Sequence, residues 1–405
     1  MMRFSILMLL SVLAVSVSFA QPTTGLIAYY SFDNCDATDD TGNGSTGNVS
    51  GNPTCECGVA GNALRLDGID DYITFTGVIN NVFTTGDFTL SFYFKGLSAG
   101  GLAQDLFSKR LNCNNNTMLN LEYIHSLSFI GAELIEAGQD NAFISGNSDN
   151  ACWHHVALTR DNQLLSLYIN GELKQQVTSN SVIDLNDNTE LTFGNSPCIG
   201  STIARFRGLI DEVRVYNLAY PQEDIDDMYF SPDMIGTRDT IVFEGNSIET
   251  FTTSTCATSF SWTPADDVAE PDSGATTITP DTSGTYTLTF TDSDGCVTSD
   301  TLHIDVIDPS ELDCNQLFLP KAFTPNGDLL NDEFLISNPQ VIAQLTSFDI
   351  YDRWGNRVFT TNDPFAAWDG TYNGTAVNPG VFIYKIVYRC ENSEQTETGT
   401  VTIIR

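Results

Sequence analysis

At 405 residues the chain is too long for one ordinary domain, and its 17 Lys+Arg against 52 Asp+Glu give a formal charge of −35. That balance excludes a nucleic-acid binder, which needs basic side chains to replace phosphate counterions, and it equally opposes docking on anionic lipid. Yet only 17% of residues are charged while 41% are hydrophobic, which is a folding composition rather than an acidic tail. Lys is scarce, and Gly, Asn, Thr, Ser and Asp fill the gaps between apolar runs, so strands and turns are expected throughout.

Met1-Met2-Arg3 leads into an apolar run from Phe4 to Phe19, and Ser18-Phe19-Ala20 supplies a small-x-small end. Residues 1–20 therefore read as a secretory signal peptide cleaved before Gln21, since the run is short for a bilayer span. An exported chain with ten cysteines is read as disulfide-bonded. They lack paired CxxC spacing, which argues against a structural zinc site. Six lie before residue 230, two at Cys256 and Cys296, and two at Cys314 and Cys390. An even number in each block predicts that each block closes its own bridges, pairing Cys256 with Cys296 and Cys314 with Cys390. Pairing among Cys35, Cys55, Cys57, Cys113, Cys152 and Cys198 is left open. Charge divides along the same blocks, with net −17 over 21–230, −13 over 231–310 and −6 over 311–405.

In the first block, 21–230, Phe88-Thr-Leu-Ser-Phe-Tyr-Phe and Leu165-Ser-Leu-Tyr-Ile alternate at period two. Asn170-Gly171 marks a two-residue hairpin turn. Pro221 opens one short helix reaching Tyr229, with acids at its positive end. Gly25-Leu-Ile-Ala-Tyr-Tyr-Ser-Phe-Asp, Asp39-Asp-Thr-Gly-Asn-Gly, Trp153-His-His-Val-Ala-Leu-Thr-Arg and Phe206-Arg-Gly-Leu-Ile-Asp-Glu-Val-Arg-Val-Tyr-Asn come in order along this block. Together with Ala63-Leu-Arg-Leu-Asp-Gly they resemble bacterial LamG-like, concanavalin A-like jelly-roll domains. The resemblance implies glycan or protein binding. It also implies one structural Ca²⁺ where first and last strands join, at Asp33, Asp40, Asn43 and Asp211, whose oxygens suit that ion. The bland reading makes Asp33, Asp40 and Asn43 turn residues and Asp211 a satisfied surface acid.

No catalytic set is recognisable. Glu133 and Glu136 are three apart, on opposite faces of a strand, and the acids of Glu223-Asp-Ile-Asp-Asp fall in the helix. There is no GxSxG elbow. Of His154 and His155, one is expected packed and the other solvated, because adjacent strand residues face opposite ways. Tyr29, Tyr30, Phe92, Tyr93, Phe94, Tyr123 and Trp153 are candidates for a sugar platform, with core packing the commoner fate.

The second block, 237–308, carries five or more short strands about ten residues apart. Cys256, Trp262 and Cys296 resemble the immunoglobulin arrangement, and the block is similar to PKD/Ig-like modules of Bacteroidetes surface proteins, hence a spacer. Asp292-Ser-Asp-Gly reads as a capped turn, or as a Ca²⁺ loop.

The third block, 311–405, contains Phe318-Leu-Pro-Lys-Ala-Phe-Thr-Pro-Asn-Gly-Asp, Phe348-Asp-Ile-Tyr-Asp-Arg-Trp-Gly-Asn-Arg-Val-Phe, Trp368-Asp-Gly and a final Gly399-Thr-Val-Thr-Ile-Ile-Arg. It resembles the gliding-motility-associated, type B sorting domain of the type IX secretion system. Leu329 departs from the glycine usual after the Pro-Asn-Gly-Asp turn. The resemblance implies export across the outer membrane, read by the secretion machinery with an outer-membrane partner, to the cell surface or beyond.

The expected protein is all-β: a concanavalin A-like jelly roll, an Ig/PKD-like sandwich and a small sorting sandwich. Its expected role is non-enzymatic binding of a carbohydrate, with a protein-binding or structural adhesin as the alternative. A hydrolase would need two carboxylates roughly 5–9 Å apart in a cleft.

Overall fold

A computed structural model describes residues 21–114, 117–148, 152–308, 314, 316–325, 331–342, 344–390 and 393–404. The expected signal peptide and the turn holding Gly327 and Leu329 lie outside them. The described residues fall into two compact units, one drawn from 21–239, 248–278 and 285–303, the other from 240–247, 279–284 and 304–404.

The larger unit contains two eight-stranded sheets. The first runs Glu172–Thr178, Leu164–Ile169, His154–Asp161, Phe88–Gly96, Arg207–Tyr216, Asn62–Asp67, Thr54–Cys57, with Leu26–Tyr30 also pairing the Arg207–Tyr216 strand. The second runs Asp140–Asn147, Phe129–Glu136, Met118–Ile124, Ala103–Arg110, Leu191–Phe193, Tyr72–Gly77, Ser45–Ser50, with Ile203–Arg205 added in parallel to the Ala103–Arg110 strand. Alternate residues of both sheets meet in one core, including Phe92, Phe94, Phe107, Phe193, Leu119, Leu121 and Ile210, all nearly fully buried. Phe107 and Phe193 pack edge to face at 5.0 Å. This is the jelly roll the alternation predicts.

The hairpin at Asn170-Gly171 forms as read, with φ of 53° and 77°. The helix spans Gln222–Met228, and Ile225 and Met228 bury against Tyr216, Tyr168 and Ala157 on the back of the first sheet. Tyr229 and Phe230 continue over Tyr93 and Trp153. This second covering corrects the expectation for the histidines: both are buried, at 3% for His154 and 0% for His155. His154 faces Phe94 and Tyr123, while His155 packs on Tyr93 and Tyr229, and its Nε2 lies 2.8 Å from Ser91 Oγ. Of the seven candidate aromatics, only Tyr29 keeps partial exposure.

The cysteine blocks do not close on themselves. Cys35–Cys55 and Cys113–Cys198 stay within the jelly roll, but Cys57 bonds Cys256 and Cys152 bonds Cys296. Even counts per block are satisfied equally by two bridges exchanged between blocks, which is why counting misled. Cys256 and Cys296 of the second block are thereby bonded to the jelly roll at two points. Trp262 is buried without a bridge of its own module beneath it, and its Nε1 donates to the Ser273 carbonyl at 2.9 Å. Asp292-Ser-Asp-Gly is a capped turn: Asp292 Oδ1 accepts from the Asp294 and Cys296 amides at 2.9 and 3.0 Å. Lys95 Nζ reaches Asp292 at 2.7 Å and Asp294 at 2.6 Å, and Arg65 reaches Asp294 at 2.7 Å.

In the smaller unit a five-stranded sheet runs Ala322–Phe323, Ser393–Ile403, Gly380–Cys390, Gln344–Tyr351, Arg357–Thr361. Its core gathers Phe323, Phe334, Phe348, Trp368, Ile386 and Val401. Cys314–Cys390 forms as predicted. Thr240–Phe243 pairs in parallel with the end of Val297–Ile307 in the same unit.

Candidate functional site

The structure does not gather Asp33, Asp40, Asn43 and Asp211 into one ligand set. Asp33 accepts from the Asn62 amide at 3.0 Å, and Asp40 from the Ser31 amide at 2.9 Å. Asn43 donates its side-chain nitrogen to the Leu26 and Ile27 carbonyls at 3.3 and 3.2 Å. Asp211 is fully buried, takes the Ala60 amide at 3.2 Å, and has its other oxygen unbonded. Burial, with Glu212 adjoining, holds the Asp211 carboxyl well above the usual carboxylate range. Among the described residues, the acids whose oxygens do meet within 4.8 Å as a threesome are Asp67, Asp70 and Asp71. Asp67 there is occupied in accepting from the Ile69, Asp70 and Asp71 amides.

A different constellation lies on the second sheet's outer face, where the strand Gln104-Asp-Leu-Phe-Ser-Lys-Arg holds polar residues on both sides of an apolar pair and Leu119-Asn-Leu-Glu-Tyr alternates. The core takes Leu106 and Phe107 through a bulge, so Asp105, Ser108 and Arg110 all turn outward. On the neighbouring strand Leu119, Leu121 and Tyr123 point to the core and leave Asn120 and Glu122 outward. Register sets Asp105 opposite Glu122 and Ser108 opposite Asn120; one strand further, Glu133 stands opposite Asn120.

Among the described residues, four buried atoms of this face lack a hydrogen-bond partner: Asp105 Oδ1, Ser108 Oγ, Arg110 Nε and Asn120 Oδ1. Buried polar atoms are nearly always satisfied, so four on two adjoining strands set this face apart from the rest of the sheet. Asp105 is fully buried and accepts from the Ser196 hydroxyl. Burial raises its carboxyl above the ordinary value, with Ser196, Arg110 and Asn120 pulling the other way. Burial also raises Glu122, reinforced by Asp105 and Glu133 and opposed by Arg110. Beside these strands opens a hollow of about 370 Å³, walled by Ser108, Arg110, Thr74, Thr192, Asn195 and Ser196. Hydroxyls, an amide and a guanidinium among these residues offer both donors and acceptors, and none of them is aromatic.

None of the five outward residues of these two strands was singled out from sequence. A polar strand face reads as solvated unless its partners are known.

Residues 67–226 match the Laminin_G_3 family model, described as the concanavalin A-like lectin/glucanases superfamily, and residues 317–403 match the CHU_C type IX secretion signal domain. The chain carries both domains. The concanavalin A-like domain holds the polar face just described, and the secretion signal domain marks the chain for export across the outer membrane, where five disulfides are at home. No protein of curated function matches the chain. Similar solved structures include domain 4 of the GH43 extracellular arabinanase AbnA from Geobacillus stearothermophilus in complex with arabinotriose. It is 23% identical, with 52% of this chain and 100% of that one covered and a TM-score of 0.42. The CBM40 of the Ruminococcus gnavus IT-sialidase bound to α2,6 sialyllactose is 19% identical, covering 37% of this chain and 87% of that one at a TM-score of 0.33. The binding domain of botulinum neurotoxin DC in complex with SialylT is 12% identical, covering 93% of each chain at a TM-score of 0.42.

Proposed function

We propose that this is a secreted carbohydrate-binding protein whose concanavalin A-like domain takes its ligand on the outer face of the second sheet. The observation that carries the reading is the set of four buried, unpartnered polar atoms on Asp105, Ser108, Arg110 and Asn120 beside an open hollow. A protein ligand would favour an apolar patch, whereas hydroxyl-rich sugar supplies both donors and acceptors to such a face. A net charge of −17 over residues 21–230 favours neutral glycans over sulfated or uronic ones. The test is binding of the purified chain to a broad glycan array; selective binding of neutral glycans supports the reading, and a blank from folded protein defeats it.

A second reading is glycoside hydrolysis, favoured by half-buried Glu122 and Glu133 on neighbouring strands, where such diagonal pairs lie about 7–8 Å apart at Cα. Binding is preferred because the hollow is walled by other residues and does not enclose this pair. Release of reducing sugar from a bound polymer, abolished by Glu122→Gln, would decide for hydrolysis.

A further inference from the structure

We propose that the hairpin turn Asp352–Arg357 of the secretion signal domain is its docking element, inserting Trp354 into an apolar pocket rimmed by carboxylates on a protein of the export machinery. The inference rests on reading residues 317–403 as the secretion signal. Of the four tryptophans, Trp153, Trp262 and Trp368 are buried at 6%, 2% and 1%, while Trp354 is 79% exposed. An indole left in water is unfavourable for the free protein, and here the backbone holds it there. Asp352 accepts from the Trp354 amide at 2.8 Å, the Asn356 amide at 2.9 Å and the Asn356 side chain at 2.9 Å. Gly355 supplies the left-handed corner with φ of 83°, and its amide donates to the Asp352 carbonyl at 3.0 Å. The turn is thus fixed from within, so little conformational freedom is lost when the ring is captured.

Charge names the kind of partner. In a chain with 17 basic and 52 acidic residues, this turn carries exposed Arg353 before the indole in sequence and exposed Arg357 after it, the latter paired with Asp349 at 3.2 Å. Arg353 lies 5.8 Å from the Trp354 ring centroid. The one acid of the turn, Asp352, is occupied by its own backbone. An anchoring tryptophan flanked by arginines is the composition of interface hot spots, and its complement carries acids around an apolar slot.

The test expresses the full chain, and variants, in a host with type IX export, and compares the amount outside the outer membrane with the amount retained inside. Trp354→Ala and Arg353→Glu are each expected to lower the exported fraction at least tenfold, with Arg353→Lys and Phe365→Ala exporting normally. Phe365 is a matched control, being 71% exposed elsewhere in the same domain. Melting of the purified variants should be unchanged, since the replaced groups are exposed. Should Trp354→Ala prove unfolded, Arg353→Glu decides alone. Wild-type export of a folded Arg353→Glu overturns the docking element. Removal of residues 311–405 separates the premises: export surviving it defeats the secretion-signal reading, and export lost with it but intact in both point variants defeats only the hairpin.

Discussion

Cys57, on an edge strand of the jelly roll, is bonded to Cys256, 199 residues further along, in the middle module. With Cys152–Cys296 it makes two covalent ties between segments that composition would separate. Non-reducing peptide mapping should recover both cross-links and no Cys256–Cys296 peptide. Replacing Cys57 and Cys256 together by alanine should cost about 2–5 kcal/mol of unfolding free energy, measured in denaturant. A Cys256–Cys296 peptide would contradict the pairing.

Lys95 is 7% exposed at its side chain and neutralises two acids of the middle module's turn. Lys95→Met leaves Asp292 and Asp294 partly desolvated, with Arg65 still on Asp294. The expected loss is about 1–3 kcal/mol, reduced from that of a fully buried pair because both carboxylates keep some solvent. Adding Asp292→Asn should restore part of it, and a double-mutant cycle checks the coupling. Strictly additive effects would mean the pairing contributes nothing.

The pH response of the jelly roll follows from His155. Full burial, with Arg214 nearby, lowers its pKa to about 3 from the ordinary 6.5. Below pH 6.5 the unfolded chain binds a proton that the folded one refuses, so stability falls as pH drops through that window towards 3. The slope is at most about 1.4 kcal/mol per pH unit. Asp105, Asp211 and Glu122, whose carboxyls are raised in the fold, act with the opposite sign and gain stability as pH falls. His155→Gln isolates the histidine. The stability gap between the parent and this variant should narrow steadily between pH 6.5 and 4 in urea titrations. A gap independent of pH would remove His155 as the cause.

What the sequence disclosed depended on how local the determinant is. Asn170-Gly171 needs positive φ at both positions, a property of two residues, and the hairpin stands where it was read. Pro221 and the acids behind it placed the helix to within a residue. Cys314–Cys390 formed as counted, but the equally isolated Cys256 and Cys296 did not pair with each other, so counting alone decided neither case. His155 was misread because its burial is completed by Tyr229 and Phe230, far along the chain, which cover the sheet face that alternation assigns to water. The cross-module bridges failed for the same reason, since cysteine counts carry no distances. Ser108 and Asn120 were invisible as a candidate site because only strand register sets them side by side. Asp33, Asp40 and Asp211, expected to meet where first and last strands join, each accept a backbone amide of their own.

The measurement that tests the binding face most directly is the affinity of the full chain, and of Asn120→Ala and Glu122→Gln, for the strongest glycan found on an array. Among the described residues Asn120 Oδ1 has no partner, but Asn120 also supports the buried Asp105 carboxyl, so Glu122→Gln is the variant expected to keep the melting temperature within a few degrees of the parent. Binding should weaken at least tenfold, the worth of about 1.4 kcal/mol of lost hydrogen bonding to the ligand. Unchanged affinity in both folded variants would place the ligand elsewhere and contradict the account.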